Sequence, residues 1–218
     1  MKNYNYVFFD LDGTLIQSEF GIIRSAKHAL SQMGVEVSGE DDTKLLRFIG
    51  PPLYNSFHDL YGMTDEDAML AVKYYREYYE VSGLFDAPLY DGIEELTEKL
   101  HGAGKKLFVV TSKPAVTAKR IIDHYGLDDR FSAVIGPDKS EKSPDKKILI
   151  ERAIAENDIT DKASVIMVGD RFYDIVGANE AGVDSIGVLY GYGNREELEE
   201  AGATFIVETP GDILKFVL

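Results

Sequence analysis

The sequence predicts an α/β protein, a parallel sheet with helices on both faces and an all-helical block inserted after the first strand. Three observations carry that expectation. Residues 6–9, Tyr-Val-Phe-Phe, form a short apolar run that leads straight into Asp10-Leu11-Asp12-Gly13. After residue 85, short β-branched runs alternate with longer amphipathic stretches, a rhythm that implies parallel strands joined by right-handed helical crossovers. Between residues 17 and 84 that rhythm stops and only helical periodicity is left. The expected division is 1–16 with 85–218 as the α/β core and 17–84 as the helical insertion.

Each element has its own signal. The first strand, Tyr6 to Phe9, is apolar throughout, as a strand covered on both faces is. In the insertion, Ile22, Ile23, Ala26, Ala29, Leu30 and Met33 make one apolar stripe. Gly50-Pro51-Pro52-Leu53 reads as a stiff loop with a helix after Pro52. Thr64-x-x-Asp67 resembles a capping box for a helix that turns Ala68, Met69, Val72, Tyr75 and Tyr79 inward. In the core, helix Ile93 to Leu100 follows an Asp-Gly turn and precedes strand Lys106 to Thr111. Helices Val116 to Tyr125 and Ile148 to Ala155 follow Lys113-Pro114 and Ser143-Pro144, matching proline's tolerance in a first helical turn. Strands Ala133 to Gly136, Ser164 to Val168, Ser185 to Leu189 and Thr204 to Val207 complete the sheet.

Composition narrows the function. With 218 residues and 44% hydrophobic content the chain can bury an ordinary globular core. A net charge of -15 argues against nucleic acid, which needs a basic footprint. No run approaches a membrane span, and the N-terminal residues lack the apolar core of a signal peptide, so a cytoplasmic protein without a membrane partner is expected. Zero cysteines leave any metal to oxygen or imidazole ligands.

A buried strand that ends in two aspartates places negative charge at a sheet edge, where a cation, a proton or hydrogen bonds must compensate it. A chance Asp-Gly turn is the plainer reading of the same residues. The segment 10–14, Asp-Leu-Asp-Gly-Thr, resembles the opening motif of the haloacid dehalogenase-like hydrolases, most of which are Mg-dependent phosphatases. That resemblance implies a Rossmann-like core with Asp10 as nucleophile, Asp12 as general acid and base, Gly13 beside the substrate, and Mg2+ as cofactor. It also implies that residues 17–84 are the helical cap, with hinges near Ile16 to Ser18 and Leu84 to Pro88.

Three more motifs resemble the family's in order. Leu107-Phe-Val-Val-Thr111-Ser112-Lys113-Pro114 ends a strand with two hydroxyls. By resemblance the Thr111 hydroxyl and the Ser112 amide contact phosphoryl oxygens while Lys113 adds positive field, although Thr and Ser before Pro also cap helices. In Glu141-Lys142-Ser143-Pro144-Asp145-Lys146 the resemblance points to Lys146 as the phosphate-contacting lysine, because Asp145-Lys146 ahead of Ile148, Leu149 and Ile150 is similar to the family branch's pattern of a lysine that opens a helix before an apolar run. Lys142 is the alternative. Gly169-Asp170-Arg171-Phe172-Tyr173-Asp174 resembles the metal motif, so Asp10, Asp12 through its carbonyl, Asp170, and Asp174 directly or through water would hold the ion. An N-capping Asp followed by an acidic first turn is the other reading of that segment.

The resemblance covers nearly the whole chain. Gly191-Tyr192-Gly193 and Ala201-Gly202-Ala203 look like the tail of phosphoglycolate-phosphatase-like members. The expected function is hydrolysis of small phosphorylated metabolites through an aspartyl phosphate, with phosphoglycolate first and 5′-nucleotides close behind. A sugar phosphomutase and a receiver-type signalling module are the remaining readings. Cap residues Arg47 and Gly50 are candidate substrate contacts, Arg24, Lys73 and Arg76 weaker ones, and a monomer or homodimer is expected.

Overall fold

The computed structural model describes residues 2–37, 42–49, 53–138 and 145–218. In chain order its elements are β1 (Tyr6–Phe9), α1 (Glu19–Gln32), α2 (Asp42–Leu45), α3 (Leu53–Tyr61), α4 (Asp65–Val81), α5 (Ile93–Gly102), β2 (Lys106–Val110), α6 (Ala115–His124), β3 (Phe131–Ile135), α7 (Lys146–Glu156), β4 (Val165–Gly169), α8 (Phe172–Ala181), β5 (Asp184–Val188), α9 (Arg195–Glu200), β6 (Phe205–Val207) and α10 (Leu214–Val217). The chain divides into two compact units, Met1–Gln17 with Leu89–Leu218, and Ser18–Pro88. Among the described residues no helix is long and apolar enough to cross a membrane.

The first unit is a six-stranded parallel sheet in the order β3-β2-β1-β4-β5-β6. Tyr6 pairs with Lys106 on one side and Val165 on the other, so β1 is central, and Val7, Phe8 and Phe9 are fully buried. Phe8 meets Phe108 edge-on at 5.2 Å, and α7 and α8 add Leu149, Ile150, Ala153 and Ala178 to the same core. The strand order reverses beside β1, and in open α/β sheets ligands bind outside the strand C-termini at such a switch point. That geometry directs attention to the residues after Phe9, Val110 and Gly169.

The second unit is helical. Ala26, Ala29 and Leu30 of α1 pack with Phe48, Phe57, Ala68, Ala71 and Tyr75, while Ile22, Ile23 and Met33 lie at the margin of this cluster. The Thr64 hydroxyl accepts from the Asp67 amide at 3.2 Å and so caps α4. One expectation is corrected: Met69 does not face inward but is 67% exposed. The buried stripe of α4 runs through Ala68, Ala71 and Tyr75, and Met69 is turned roughly 100° from Ala68 around the axis. The tyrosines serve packing, with Tyr75 stacked on Tyr79 and Tyr78 on His28. Gly50-Pro51-Pro52 and Lys142-Ser143-Pro144 lie outside the described residues.

Candidate active site

β1 delivers Asp10 to the sheet edge, where its amide donates to Val168 O at 2.9 Å. The chain then turns back on itself, because the Leu11 carbonyl accepts from the amides of Thr14, Leu15 and Ile16. Gly13 is required at this bend. Its φ is +81°, and a Cβ there would lie 2.3 Å from Asp170 Oδ2.

β4 brings the second set of carboxylates. Asp170 follows Gly169, and Asp174 lies in the first turn of α8, accepting from the Arg171 amide at 3.2 Å. A Cβ on Gly169 would stand 2.3 Å from Asp174 Cβ, so the glycine lets the helix start fold back over the strand end. Both Asp170 oxygens are held: Oδ1 accepts from the Thr14 hydroxyl at 3.3 Å, and Oδ2 from the Tyr192 amide at 2.8 Å. Asp10, Asp170 and Asp174 each present a carboxylate oxygen, and those atoms lie within 4.8 Å of one another. The Asp12 carboxylate stands outside that group.

Two lysines complete the cluster. Lys146 opens α7 and is buried, with Nζ 2.8 Å from Asp10 Oδ1, 2.7 Å from Asp174 Oδ1 and donating to Val110 O at 3.0 Å. Gly177 on α8 permits this packing, since a Cβ there would meet Lys146 Cβ at 2.7 Å. Lys113 Nζ lies 2.8 Å from Asp12 Oδ1, a direct ion pair where only a general positive field was expected. Thr111 is buried at the end of β2 and its hydroxyl accepts from the Lys113 amide at 3.2 Å, while Ser112 is exposed.

Among the described residues, the helical unit's candidates do not form a comparable cluster. Arg47 is exposed, Arg24 pairs with Asp86 at 2.6 Å, and Lys73 lies 3.8 Å from Glu77. Gly50 and Lys142 lie outside the described residues. Several participants escaped the sequence reading. Thr14, the Tyr192 amide and Gly177 act through tertiary contact, and Glu197 takes the Arg171 Nε at 2.8 Å and the Phe172 amide at 2.9 Å, securing the start of α8. The signals available in the sequence are Thr14, as the last residue of the 10–14 motif, and the two glycines that flank Tyr192.

The electrostatics point to a cation. Burial pushes Asp10 up to about 6, opposed by Lys146 and reinforced by Asp174 and Asp12. Burial pushes Asp170 up to about 8, with Asp174 and Asp10 adding to it and the Tyr192 amide and Arg171 opposing. Lys146 is held above the usual lysine range because Asp10 and Asp174 outweigh its own desolvation. Burial and mutual repulsion hold Asp10 and Asp170 above the ordinary carboxylate range beside a single ammonium, so a bound cation would favour their charged forms. A donor set made only of carboxylate oxygens fits a hard divalent cation, so Asp10, Asp170 and Asp174 can hold a metal ion.

Residues 7–188 match the family described as haloacid dehalogenase-like hydrolase. The chain is 40% identical over 195 residues to a 5′-nucleotidase of Pseudomonas aeruginosa, covering 89% of this chain and 87% of that protein. It is 30% identical to a phosphoglycolate phosphatase of Vibrio cholerae, over 100% of this chain and 99% of the relative. A crystal structure of a candidate phosphatase from Clostridium difficile superposes with a TM-score of 0.96 at 41% identity, over the full length of both chains.

Proposed function

The chain belongs to the haloacid dehalogenase-like hydrolase family and is a phosphatase of it, and we propose that it hydrolyses small phosphomonoesters through an aspartyl phosphate on Asp10, with Mg2+ as its ion. The observation that carries this reading is the Asp10 carboxylate at the sheet edge. It lies 2.8 Å from a buried ammonium and within 4.8 Å of two further carboxylates.

In the first step an Asp10 oxygen attacks phosphorus, the ester P–O bond breaks, and the leaving oxygen takes a proton from Asp12. In the second, Asp12 takes a proton from water, the water oxygen attacks phosphorus, and the P–O bond to Asp10 breaks to release phosphate. Lys113 fixes the orientation of Asp12, and Lys146 sets the face that Asp10 presents. Thr111, the Ser112 amide and Gly13 are assigned to the phosphoryl oxygens. Asp10, the Asp12 carbonyl, Asp170 and, directly or through water, Asp174 would hold the ion, which when bound would neutralise negative charge of the ester and carboxylates.

Substrate choice is assigned to the helical unit acting as a cap. It occupies the interval between Gln17, where the chain leaves the core, and Leu89, where it returns. Arg47 and Gly50 are its candidate contacts. The family resemblance favours phosphoglycolate, and the 40% identity to a 5′-nucleotidase brings 5′-nucleotides level with it. A cytoplasmic location and a monomer or homodimer complete the proposal.

The test is phosphate release from a panel holding phosphoglycolate, 5′-nucleotides, sugar phosphates and an aryl phosphate, with and without Mg2+. Steady release that requires Mg2+ supports the reading. Phosphoryl return to a sugar without net release would indicate a mutase instead, and a persistent acyl phosphate a signalling module.

A further inference from the structure

Tyr190 lies just past β5, and its hydroxyl oxygen is buried with no hydrogen-bond partner among the described residues. The ring rests on Tyr90, with centroids 5.0 Å apart and planes tilted by 59°. The backbone that follows is pressed onto Asp170. A Cβ on Gly191 would stand 2.3 Å from Asp170 Cβ and 2.3 Å from the Gly13 carbonyl oxygen, and the next amide, of Tyr192, donates to Asp170 Oδ2. Burial raises the phenol's pKa most, and Asp170 and then Tyr90 raise it further.

A buried donor without an acceptor costs free energy, and a phenylalanine would fill the same space without that cost. The hydroxyl therefore has its use in another state of the site. It is not needed by Asp170 itself, whose two oxygens already accept from Thr14 and Tyr192. Mg2+ holds on to several of its waters, and those waters need acceptors and donors behind the protein ligands.

We propose that Tyr190 is a positioning residue for the divalent ion, its hydroxyl hydrogen-bonding a water of the ion's shell on the Asp170 side. The inference rests on the proposed role of Asp170 as a metal ligand. Tyr190→Phe keeps the ring on Tyr90 and removes only the hydroxyl.

The experiment measures Mg2+ affinity by titration calorimetry and melting temperature with and without Mg2+, for the wild-type protein and Tyr190→Phe. The expected result is an equal or higher melting temperature for the metal-free variant together with a Mg2+ affinity weakened about tenfold, the size of effect seen when groups behind metal ligands are removed. A merely structural tyrosine would lower the metal-free melting temperature instead, and that result overturns the proposal. So does unchanged Mg2+ affinity, including the case in which only binding of inorganic phosphate weakens. If the wild-type protein binds no Mg2+, the metal reading itself falls and takes this inference with it. If both proteins bind Mg2+ equally, only the role of Tyr190 falls.

Discussion

The α/β unit and the helical unit deploy their charges in opposite ways. Among the described residues, the buried charged side chains Lys146, Asp170 and Asp174 all belong to the α/β unit, and the polar side chains buried in the helical unit are the hydroxyls of Ser18, Ser25 and Ser56. The helical unit keeps its ion pairs at the surface, as in Arg24–Asp86, whose side chains are 60% and 31% exposed. Surface pairs contribute roughly 0–1 kcal/mol and are replaceable. A buried cluster of three carboxylates and one lysine carries a desolvation cost of several kcal/mol per ion, on the order of what stabilises a whole domain. A fold keeps such a cluster where chemistry requires it, which is why charge marks a site in one unit and only solvates the other.

The largest effect should come from the nucleophile. Asp10→Asn is expected to lower turnover of an aryl phosphate by about 10⁴-fold or more under saturating Mg2+, the scale seen when a covalent nucleophile is removed. Activity near the wild-type level would remove Asp10 from its role. Next is the lysine between the carboxylates. Lys146→Met leaves Asp10 and Asp174 facing each other without their shared cation, and urea unfolding should register a loss of about 3–5 kcal/mol along with the loss of activity. A variant as stable as the parent would mean the cluster is not the strained element the comparison makes it.

A third prediction concerns pH. Asp10 and Asp170 titrate above the ordinary carboxylate value in the folded protein, so the folded state binds more protons than the unfolded one between about 4 and about 8. Stability of the metal-free protein should therefore fall as pH rises through that window, and Mg2+ should restore more of it at pH 8 than at pH 5. Thermal melts in chelator and in Mg2+ measure both slopes, and Asp170→Asn should flatten the metal-free one. The smallest effect belongs to the helical unit, where Arg24→Ala should change unfolding free energy by less than about 1 kcal/mol. A larger loss would erase the contrast between the units.

Much of the fold is legible because each strand is a compact apolar run and each following helix carries its own start signal. Tyr6–Phe9 occupies its anticipated span to the residue, and the other strands lie within two residues of theirs. Asp10, Lys146, Asp170 and Asp174 are legible for a local reason, since each sits where an apolar run meets a turn or a helix start. What the sequence hides is tertiary. The bond from Tyr192 to Asp170 uses a backbone amide that every residue but proline has, and Thr14 finds its partner 156 positions away. Lys113 is visible as a charge, but its pairing with Asp12 appears only once β1 and β2 lie side by side. Met69 lies outside the buried face: a stripe drawn from hydrophobicity alone admits any apolar residue near its edge, whereas Ala68, Ala71 and Tyr75 define the contact line.

The central claim, that Asp10 becomes phosphorylated during turnover, is tested most directly by acid-quenching the protein during steady-state hydrolysis and locating the added phosphoryl group by peptide mass spectrometry. The account predicts a labile phosphoryl group on the peptide bearing Asp10, present with substrate and Mg2+ and absent in Asp10→Asn. A protein that turns over substrate with no phosphorylated peptide at any quench time, or with the group on another residue, would contradict it.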